Sequence, residues 1–398
     1  MAEGLGVFDC DTHIYEPKDA ATRYLPEEFA DRAIRVEKNE KGEDEVVAGG
    51  RMAPFLSDFG NGFEIAYRPG SLKEMLRQMA SGNPEETYEP EPMRAEYLER
   101  GPRLELLDQQ GVDRCVMFPG SLALAGEHYV ADTEALYAGI NAYNHWYDEA
   151  WGFNYRDRIY ATALMSLRDL DSAVAVADDI VARGAKVVLL PTGPAYGRSP
   201  ADPYFDPVWQ RLNDAGVVIA LHVMPYWYFD NISPAWGEDS DPYSWTMSAW
   251  QWNNVYGERP VVDTLSALVF GNLFGRFPNL NVLVAEHGAS WLPHTLSHMD
   301  KSRGMGRNGP WIGGQLTERP SAISKRHIRV APYPEDDIVE IIRQLGGDDS
   351  MLVFGSDYPH PEGVAHPDDF EAGLADLAPD VQRRIMRTNA EAIFGSVG

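Results

Sequence analysis

Residues that commonly bind metals occur in four short segments that lie far apart in the sequence. The segments are Asp11-Thr12-His13, His222, Glu286-His287 and Gly355-Ser356-Asp357. Each follows a short apolar run that is typical of a buried strand. Carboxylates and imidazoles are common ligands of divalent transition metals. If the four strands are neighbours, the segments meet, and a metal site is the first hypothesis for function.

The positions of three of these residues indicate their roles. Asp11 and His13 are two positions apart, and residues i and i+2 of a strand point to the same side. An acid at the end of a buried strand needs a partner, so Asp357 is predicted to bind a metal and to accept a proton from a water on it. The open alternatives for Asp357 are a salt bridge and a helix N-cap. Considered alone, His222 would be interpreted as a buried histidine of the core. The other three segments favour its role as a metal ligand.

The pair Glu286 and His287 ends the sixth apolar run. Neighbouring residues of a regular strand point to opposite sides, so only one of the two is expected to point inward unless the chain turns there. We expect His287 to act as an acid or base beside the metal, or else to support a ligand or bind a second metal. Glu286 is expected to support a ligand or to bind a second metal. Glu127 and His128, which follow the second run, are further candidates for a second metal.

Eight apolar runs alternate with helical patterns along the chain. The predicted strands are Val7–Asp11, Arg114–Phe118, Ile159–Met165, Lys186–Leu190, Val217–His222, Asn281–Glu286, Ile328–Ala331 and Met351–Phe354. Eight parallel strands that alternate with helices predict an α/β fold, a distorted (β/α)8 TIM barrel whose C-terminal rim carries the active site. A doubly wound open sheet is the alternative, but no glycine-rich turn follows the first run.

Two long segments interrupt this alternation. Residues 18–105 form an insertion after the first strand, and in it Ile34–Glu37 and Glu45–Ala48 are predicted to pair as a hairpin. Residues 225–260 are rich in aromatic side chains. No interdomain linker is evident, so we expect residues 1–398 to form one domain.

The aromatic segment at residues 225–260 follows His222 directly. Its side chains are expected to line a pocket for a bulky apolar ligand, with Trp227 and Trp252 as substrate contacts. His360, which lies in the polar loop after Asp357, is a third predicted substrate contact. A small separate core and a subunit interface are the alternatives for this segment.

Composition limits the class of partner. The chain has 398 residues and a formal charge of −27, so nucleic acids and anionic membranes would be repelled. We expect no membrane span and no secretory signal. Cys10 and Cys115, the only cysteines, are predicted to be buried thiols in a reducing cytoplasm. A homo-oligomer that acts on a small-molecule substrate is expected.

Three longer motifs resemble the amidohydrolase-related (ACMSD-like) family, which includes metal-dependent nonoxidative decarboxylases. The motifs are Phe8–Pro17, Ala285–Pro293 and Phe354–Gly363, and the resemblance spans about residues 7–395. It implies a distorted (β/α)8 barrel with one metal at its C-terminal rim and His287 in the place of the catalytic histidine. The metal ligands that the resemblance implies are Asp11, His13, His222 and Asp357.

The chain departs from this family's pattern in two places. The first ligand is an aspartate, where the family often has histidine or glutamate. The fourth strand ends Leu189-Leu190-Pro191-Thr192, so no lysine is present to be carboxylated as a bridging ligand. This absence argues against the dinuclear site of the common hydrolase type.

The family resemblance implies more than one reaction. The first is hydrolysis or nonoxidative decarboxylation with zinc, manganese or iron, through a metal-bound water or a metal-held substrate. The chain also resembles a small subgroup of nonheme diiron monooxygenases from terpenoid pathways, such as that of platensimycin, which use two irons and O2. The third possibility is an inactive binding barrel. It predicts missing ligands, whereas all four are present.

Overall fold

The computed structural model describes residues 6–53, 63–81, 90–124, 126–243 and 246–396. Its central feature is a set of parallel strands whose side chains are almost all buried. The strands are β1 (Val7–His13), β2 (Val112–Phe118), β3 (Ile159–Ala161 and Ala163–Leu164), β4 (Val187–Leu190), β5 (Val218–Leu221), β6 (Val282–Val284) and β7 (Ile328–Val330). Strands that are apolar on both faces are typical of a parallel sheet covered by helices, and this confirms the predicted α/β class.

The order of the strands in space follows their order in the sequence. β2 pairs with β1 and with the first part of β3, and the second part of β3 pairs with β4. β4 to β7 continue the parallel order. Leu221, Val284 and Val330 are aligned in register across β5, β6 and β7. The residues that follow these strands therefore emerge at the same edge.

The eighth predicted strand, Met351–Phe354, is not a regular strand, yet its segment connects β7 to β1. Val330 donates to the Met351 carbonyl at 2.7 Å, and Val353 donates back to Val330 at 3.1 Å. Cys10 donates to the Phe354 carbonyl at 2.8 Å. These bonds link the first and last strands, so the backbone forms a ring of eight segments, as a distorted barrel requires.

A glycine allows this connection. A Cβ on Gly355 would lie 2.7 Å from the Asp11 Cβ and 2.9 Å from the Ala331 Cβ. Because neither contact leaves room for a side chain, glycine is required between the last segment and its two neighbours. The first residue of the Gly355-Ser356-Asp357 motif is thus a glycine because of packing.

Helices cover the strands and fill both long segments. The α-helices are Leu72–Ser81, Ala95–Leu98, Arg100–Gln109, Ser121–Leu124, Gly126–Tyr129, Thr133–Ala150, Leu170–Ala182, Asp206–Ala215, Tyr226–Ala235, Ala249–Gln251, Arg259–Phe270, Leu273–Arg276, Leu292–Met305, Pro320–His327, Ile338–Gln344, Pro367–Glu371, Pro379–Arg383 and Asn389–Phe394. The 3-10 helices are Glu27–Phe29, Pro203–Phe205 and Ala372–Leu374, and the π-helices are Trp252–Tyr256 and Arg384–Thr388.

The insertion at residues 18–105 contains the predicted hairpin. Ile34–Lys38 pairs antiparallel with Asp44–Ala48, and a short third strand, Arg51–Met52, joins them. Ile65–Ala66 pairs with Glu91–Pro92. Residues 54–62 and 82–89 of the insertion lie outside the part of the chain that the structure describes.

Cys10 and Cys115 are buried free thiols in β1 and β2, as the sequence predicted. In the ranges that the structure covers, none of the helices combines the length and the apolar character that crossing a membrane would require.

Candidate metal centre

Four predicted ligands meet at the C-terminal edge of the strands. The Nε2 atom of His13 lies 3.3 Å from Oδ1 of Asp11 and 3.4 Å from Oδ1 of Asp357. His222 places its Nε2 atom 3.0 Å from that of His13 and 4.0 Å from Oδ1 of Asp11. All four side chains are buried. The alignment of the strand ends therefore brings nitrogen and oxygen donor atoms to one point.

The backbone selects which nitrogen of His13 faces this point. Nδ1 of His13 lies 3.3 Å from the Pro119 carbonyl oxygen, which can only accept a hydrogen bond. A proton on Nδ1 leaves the lone pair of Nε2 free, as a metal ligand requires. Arg103, which is fully buried, donates to the His13 carbonyl at 2.7 Å and helps to fix the residue.

The electrostatics of the cluster favour a bound cation. Burial raises the pKa of Asp11 well above its usual value, and the charge of Asp357 raises it further. Burial also raises the pKa of Asp357, followed by the charge of Glu286. Oδ1 of Asp11 is buried and has no hydrogen-bond donor among the described residues. A divalent cation would offset the repulsion between these carboxylates and supply the missing partner.

A turn of the backbone separates Glu286 from His287. Glu286 has a left-handed φ of 54°, and its Oε2 atom lies 2.9 Å from Nε2 of His222. His287 is also buried, and neither of its ring nitrogens has a partner in the described part of the chain. Burial and then the neighbouring His222 lower the pKa of His287 to about 3. The strand has ended at Val284, so the alternation of a regular strand no longer applies.

Two residues from the loop after β7 support this turn. The hydroxyl of Tyr333 donates to the Glu286 carbonyl at 2.9 Å. Oδ2 of Asp336 accepts hydrogen bonds from the backbone of Ala289 at 2.7 Å and of Tyr333 at 3.0 Å. The conformation of Glu286 is therefore fixed by contacts from the next strand's loop.

Asp357 is held by one hydrogen bond to β1 and by a contact within its own loop. Its backbone donates to the Asp11 carbonyl at 2.7 Å, and its Oδ1 atom lies 2.8 Å from Nδ1 of His360. The backbone of Ser356 donates to Oδ1 of Asp9 at 2.9 Å. Burial raises the pKa of Asp9 to about 7. These contacts position Asp11 and Asp357 relative to each other.

Glu127 and His128, the other predicted ligands of a second metal, have different partners. Oε1 of Glu127 accepts from Ser166 at 2.9 Å and from Tyr196 at 2.5 Å. His128 stacks on Tyr226, with 4.7 Å between ring centroids. Within the described residues, neither belongs to a group of three or more ligand atoms that lie within 4.8 Å of one another. The structure therefore does not bring Glu127 or His128 into the centre.

Two such groups do form, and both contain His13. The groups are Asp11, His13 and His222, and His13, Glu286, Asp357 and His360. The second group places Glu286, rather than His287, among the metal-binding atoms. His287 also does not line the adjacent cavity, whereas Glu286 does.

A cavity of about 530 Å³ opens above the centre. Trp252 and His360, two predicted substrate contacts, line it. The third, Trp227, does not line it: its side chain is 36% exposed and packs against Tyr228. An aromatic segment that folds back as helices directs only some of its rings inward.

The aromatic segment combines two of the predicted alternatives. Tyr226, Phe229 and Tyr256 line the cavity together with Trp252. Tyr228, Phe229, Met247 and Val255 form a small separate core. The π-helix Trp252–Tyr256 presents both of its end residues to the cavity, and π-helical turns are frequent at functional sites.

The sequence analysis missed one contribution to the cavity. The insertion supplies its apolar wall, formed by Val46, Phe63, Tyr67, Leu72 and Met75. These residues belong to no motif, so only their folded positions identify them. Glu16, for which the sequence allowed a turn or an added carboxylate, also lines the cavity. Its carboxylate accepts from the Leu122 backbone at 2.8 Å and from the Tyr143 hydroxyl at 2.6 Å.

Comparisons with known proteins agree with this geometry. A family model described as amidohydrolase matches residues 8–396. An amidohydrolase from Mycobacterium avium subsp. paratuberculosis is 31% identical, with a TM-score of 0.86, over 100% of this chain and 99% of its own. Among curated proteins, none matches the sequence.

Two more distant crystal structures share the fold. The 2,6-dihydroxybenzoate decarboxylase from Rhizobium is 14% identical, with a TM-score of 0.59, over 98% of this chain and 99% of its own. The 5-carboxyvanillate decarboxylase from Novosphingobium aromaticivorans, complexed with manganese, is 16% identical, with a TM-score of 0.62, over 99% of this chain and 97% of its own.

Proposed function

Because the chain belongs to the amidohydrolase family, we propose that it is a metal-dependent enzyme that hydrolyses or nonoxidatively decarboxylates a bulky, mainly apolar metabolite. The observation that carries this proposal is that carboxylate oxygens of Asp11 and Asp357 both lie within 3.4 Å of Nε2 of His13, in the lining of a cavity. The similarity in fold to decarboxylases, one of them holding manganese, supports it.

The donor set fits a divalent transition metal, since it combines imidazole nitrogens with carboxylate oxygens. Asp11, His13, His222 and Asp357 would hold the ion, which when bound polarises an oxygen of the substrate. The metal is proposed to be zinc, manganese or iron. The orphaned Oδ1 atom of Asp11 is the detail that most needs such a partner.

The remaining steps belong to side chains of the protein. In hydrolysis, Asp357 accepts a proton from the attacking water, and its contact with His360 orients the carboxylate for this task. In decarboxylation, an acid must protonate the carbon that loses CO2. We propose Glu286, which lines the cavity, as this acid. His287, with two unpaired ring nitrogens, remains a predicted acid or base whose role is tested below.

A second candidate function is a nonheme diiron monooxygenase that hydroxylates a hydrophobic intermediate with O2. One observation favours it: the two overlapping ligand groups offer more donors than a single ion requires. Their members are Asp11, His13, His222, Glu286, Asp357 and His360. The apolar cavity would suit such a substrate as well as it suits the first function.

Metal analysis of anaerobically purified protein, combined with EPR and Mössbauer spectroscopy, distinguishes the two. One zinc or manganese per chain, with turnover of candidate esters, amides or aromatic acids in the absence of O2, is expected for the first function. Two irons per chain and substrate-dependent oxygen uptake would favour the second. Protein that binds no metal, even after reconstitution, would contradict both.

A further inference from the structure

Acidic side chains outnumber basic ones in the described lining of the cavity above the centre. The described residues that line it include six carboxylates and no lysine or arginine. A bound divalent ion would offset two of these charges. The wall that meets the substrate therefore offers no cation to a second anionic group, and an anion there would be repelled.

Five of the six carboxylates have a partner or a proposed role. Asp11, Asp357 and Glu286 belong to the groups of potential metal ligands. Glu16 is bonded to Tyr143 and to the backbone of the next loop. Glu335 lies 3.4 Å from Nζ of Lys73.

Glu362 is the sixth, and it differs from the others. It is only partly buried, and no cation or hydrogen-bond donor of the described residues pairs with its carboxylate. Its charge acts on the hydroxyl groups of Tyr15 and Tyr256, which also line the cavity. Burial raises the pKa of both hydroxyls, and the charge of Glu362 raises it further. Glu362 is thus an unpaired acceptor among groups that face the substrate.

The cavity wall that the insertion supplies is apolar rather than acidic. Val46, Phe63, Leu72 and Met75 present only apolar atoms. A ligand that fills the cavity therefore meets apolar surface from the insertion and a hydrogen-bond acceptor from the loop after Asp357. Burying an unpaired carboxylate under a purely apolar ligand would be costly, so the ligand must bring a donor.

We propose that Glu362 is a specificity-determining residue, which selects substrates that present a hydroxyl or a protonated amine and rejects those that present a second carboxylate. This inference rests on the proposed function, because the reacting group is taken to face the metal. The substrate class is accordingly an apolar molecule with one metal-facing group and a neutral or cationic donor.

Three probes of similar shape test this assignment on the metal-loaded full-length protein. They are 3-(aminomethyl)benzoate, 3-(hydroxymethyl)benzoate and isophthalate, and plain benzoate is the reference. Calorimetry should rank the amine and the alcohol above isophthalate, by about tenfold or more for the amine, as expected for one charge-assisted hydrogen bond. The Glu362→Gln variant should bring all three within a few-fold of one another.

The matched control is Glu335→Gln, which removes another cavity carboxylate but one that is already paired with Lys73. It should leave the ranking unchanged. Isophthalate binding as tightly as the amine, or an unchanged ranking in Glu362→Gln, would overturn the inference. Failure of benzoate itself to bind in a metal-dependent way would instead count against the proposed function.

Discussion

The imidazole rings of His13 and His222 point at each other, with 3.0 Å between their Nε2 atoms. The two residues end strands on opposite sides of the ring of strands, and Asp11 lies between them at 3.3 Å and 4.0 Å. At 3.0 Å a hydrogen bond could join the two nitrogens if one of them carried a proton. A shared metal ion would instead use both lone pairs, and the nearby carboxylates favour that arrangement.

Loss of either a nitrogen or an oxygen donor should empty the centre. We expect His13→Ala and Asp357→Ala each to lose stoichiometric metal, as measured by mass spectrometry of the purified protein. His294→Ala, which removes an exposed histidine from the helix Leu292–Met305, is the control and should keep its metal. Full occupancy in both site variants would refute the ligand assignment.

The role of His287 can be separated from metal binding. His287→Asn should keep the metal, because this side chain belongs to neither group of ligand atoms among the described residues. If His287 transfers a proton during catalysis, turnover should fall by about 100- to 10,000-fold. Metal analysis and steady-state rates on the same preparation measure both quantities. A variant that loses metal would show that His287 is a ligand, and one that keeps full activity would exclude it from catalysis.

Arg103 is predicted to support the metal through His13. Its side chain is fully buried, and its Nη2 atom donates to the His13 carbonyl. Arg103→Met should lower metal affinity by about tenfold, because partners that orient a ligand affect binding to this extent. The free energy of unfolding should fall by about 1–3 kcal/mol, because the carbonyl loses its donor.

Metal competition with a chelator and urea denaturation measure these two effects. Arg307→Met, at an exposed position, should change neither. Unchanged metal affinity in Arg103→Met would mean that the hydrogen bond to His13 has no influence on the centre.

Glu16 should make stability depend on pH. Burial raises its pKa from 4.5 to about 7, outweighing the hydrogen bonds that lower it. A raised carboxyl pKa means that the folded state binds the proton more tightly, so this contribution is full below about pH 4.5 and is lost as the pH rises through about 7. The loss amounts to roughly 3 kcal/mol over that window.

Urea denaturation of metal-free protein between pH 5 and 8 measures this dependence. As the pH increases, the free energy of unfolding of wild type should fall relative to that of Glu16→Gln, because the glutamine does not titrate. Glu340→Gln is the control, since hydrogen bonds from Arg343 lower the pKa of Glu340 to about 2, outside the window. Parallel curves for wild type and Glu16→Gln would contradict the assignment.

Much of the fold was predictable because the apolar runs of a parallel barrel are continuous and buried on both faces. Seven of the predicted strands are present, with bounds shifted by a few residues. The last run was predicted as a regular strand, but within the described residues it forms one isolated bridge, Val330–Leu352, and a few separate hydrogen bonds to its neighbours. The sequence pattern reports burial, and it does not report whether the ladder of hydrogen bonds is complete.

The site was predictable only as far as strand ends determine it. The positions of Asp11, His13 and His222 follow from the alignment of their strands. The left-handed turn at Glu286 does not, because it depends on Tyr333 and on contacts from the next loop. Glu362 could be predicted only as part of the polar loop after Asp357, where contact with the substrate is expected. The apolar wall of the insertion could not be identified, since its importance comes from a shared cavity.

The bond from the Asp357 backbone to the Asp11 carbonyl joins residues from the two ends of the chain. A cation bound by both carboxylates would link the first and last segments of the barrel where the ring of strands closes. Closing a ring of this length costs chain entropy. The bound cation would offset part of that cost, and only in the folded state, where both carboxylates are close together. Separation of these two segments and release of the ion would then be one event, so the rate of metal loss would measure how often the barrel opens.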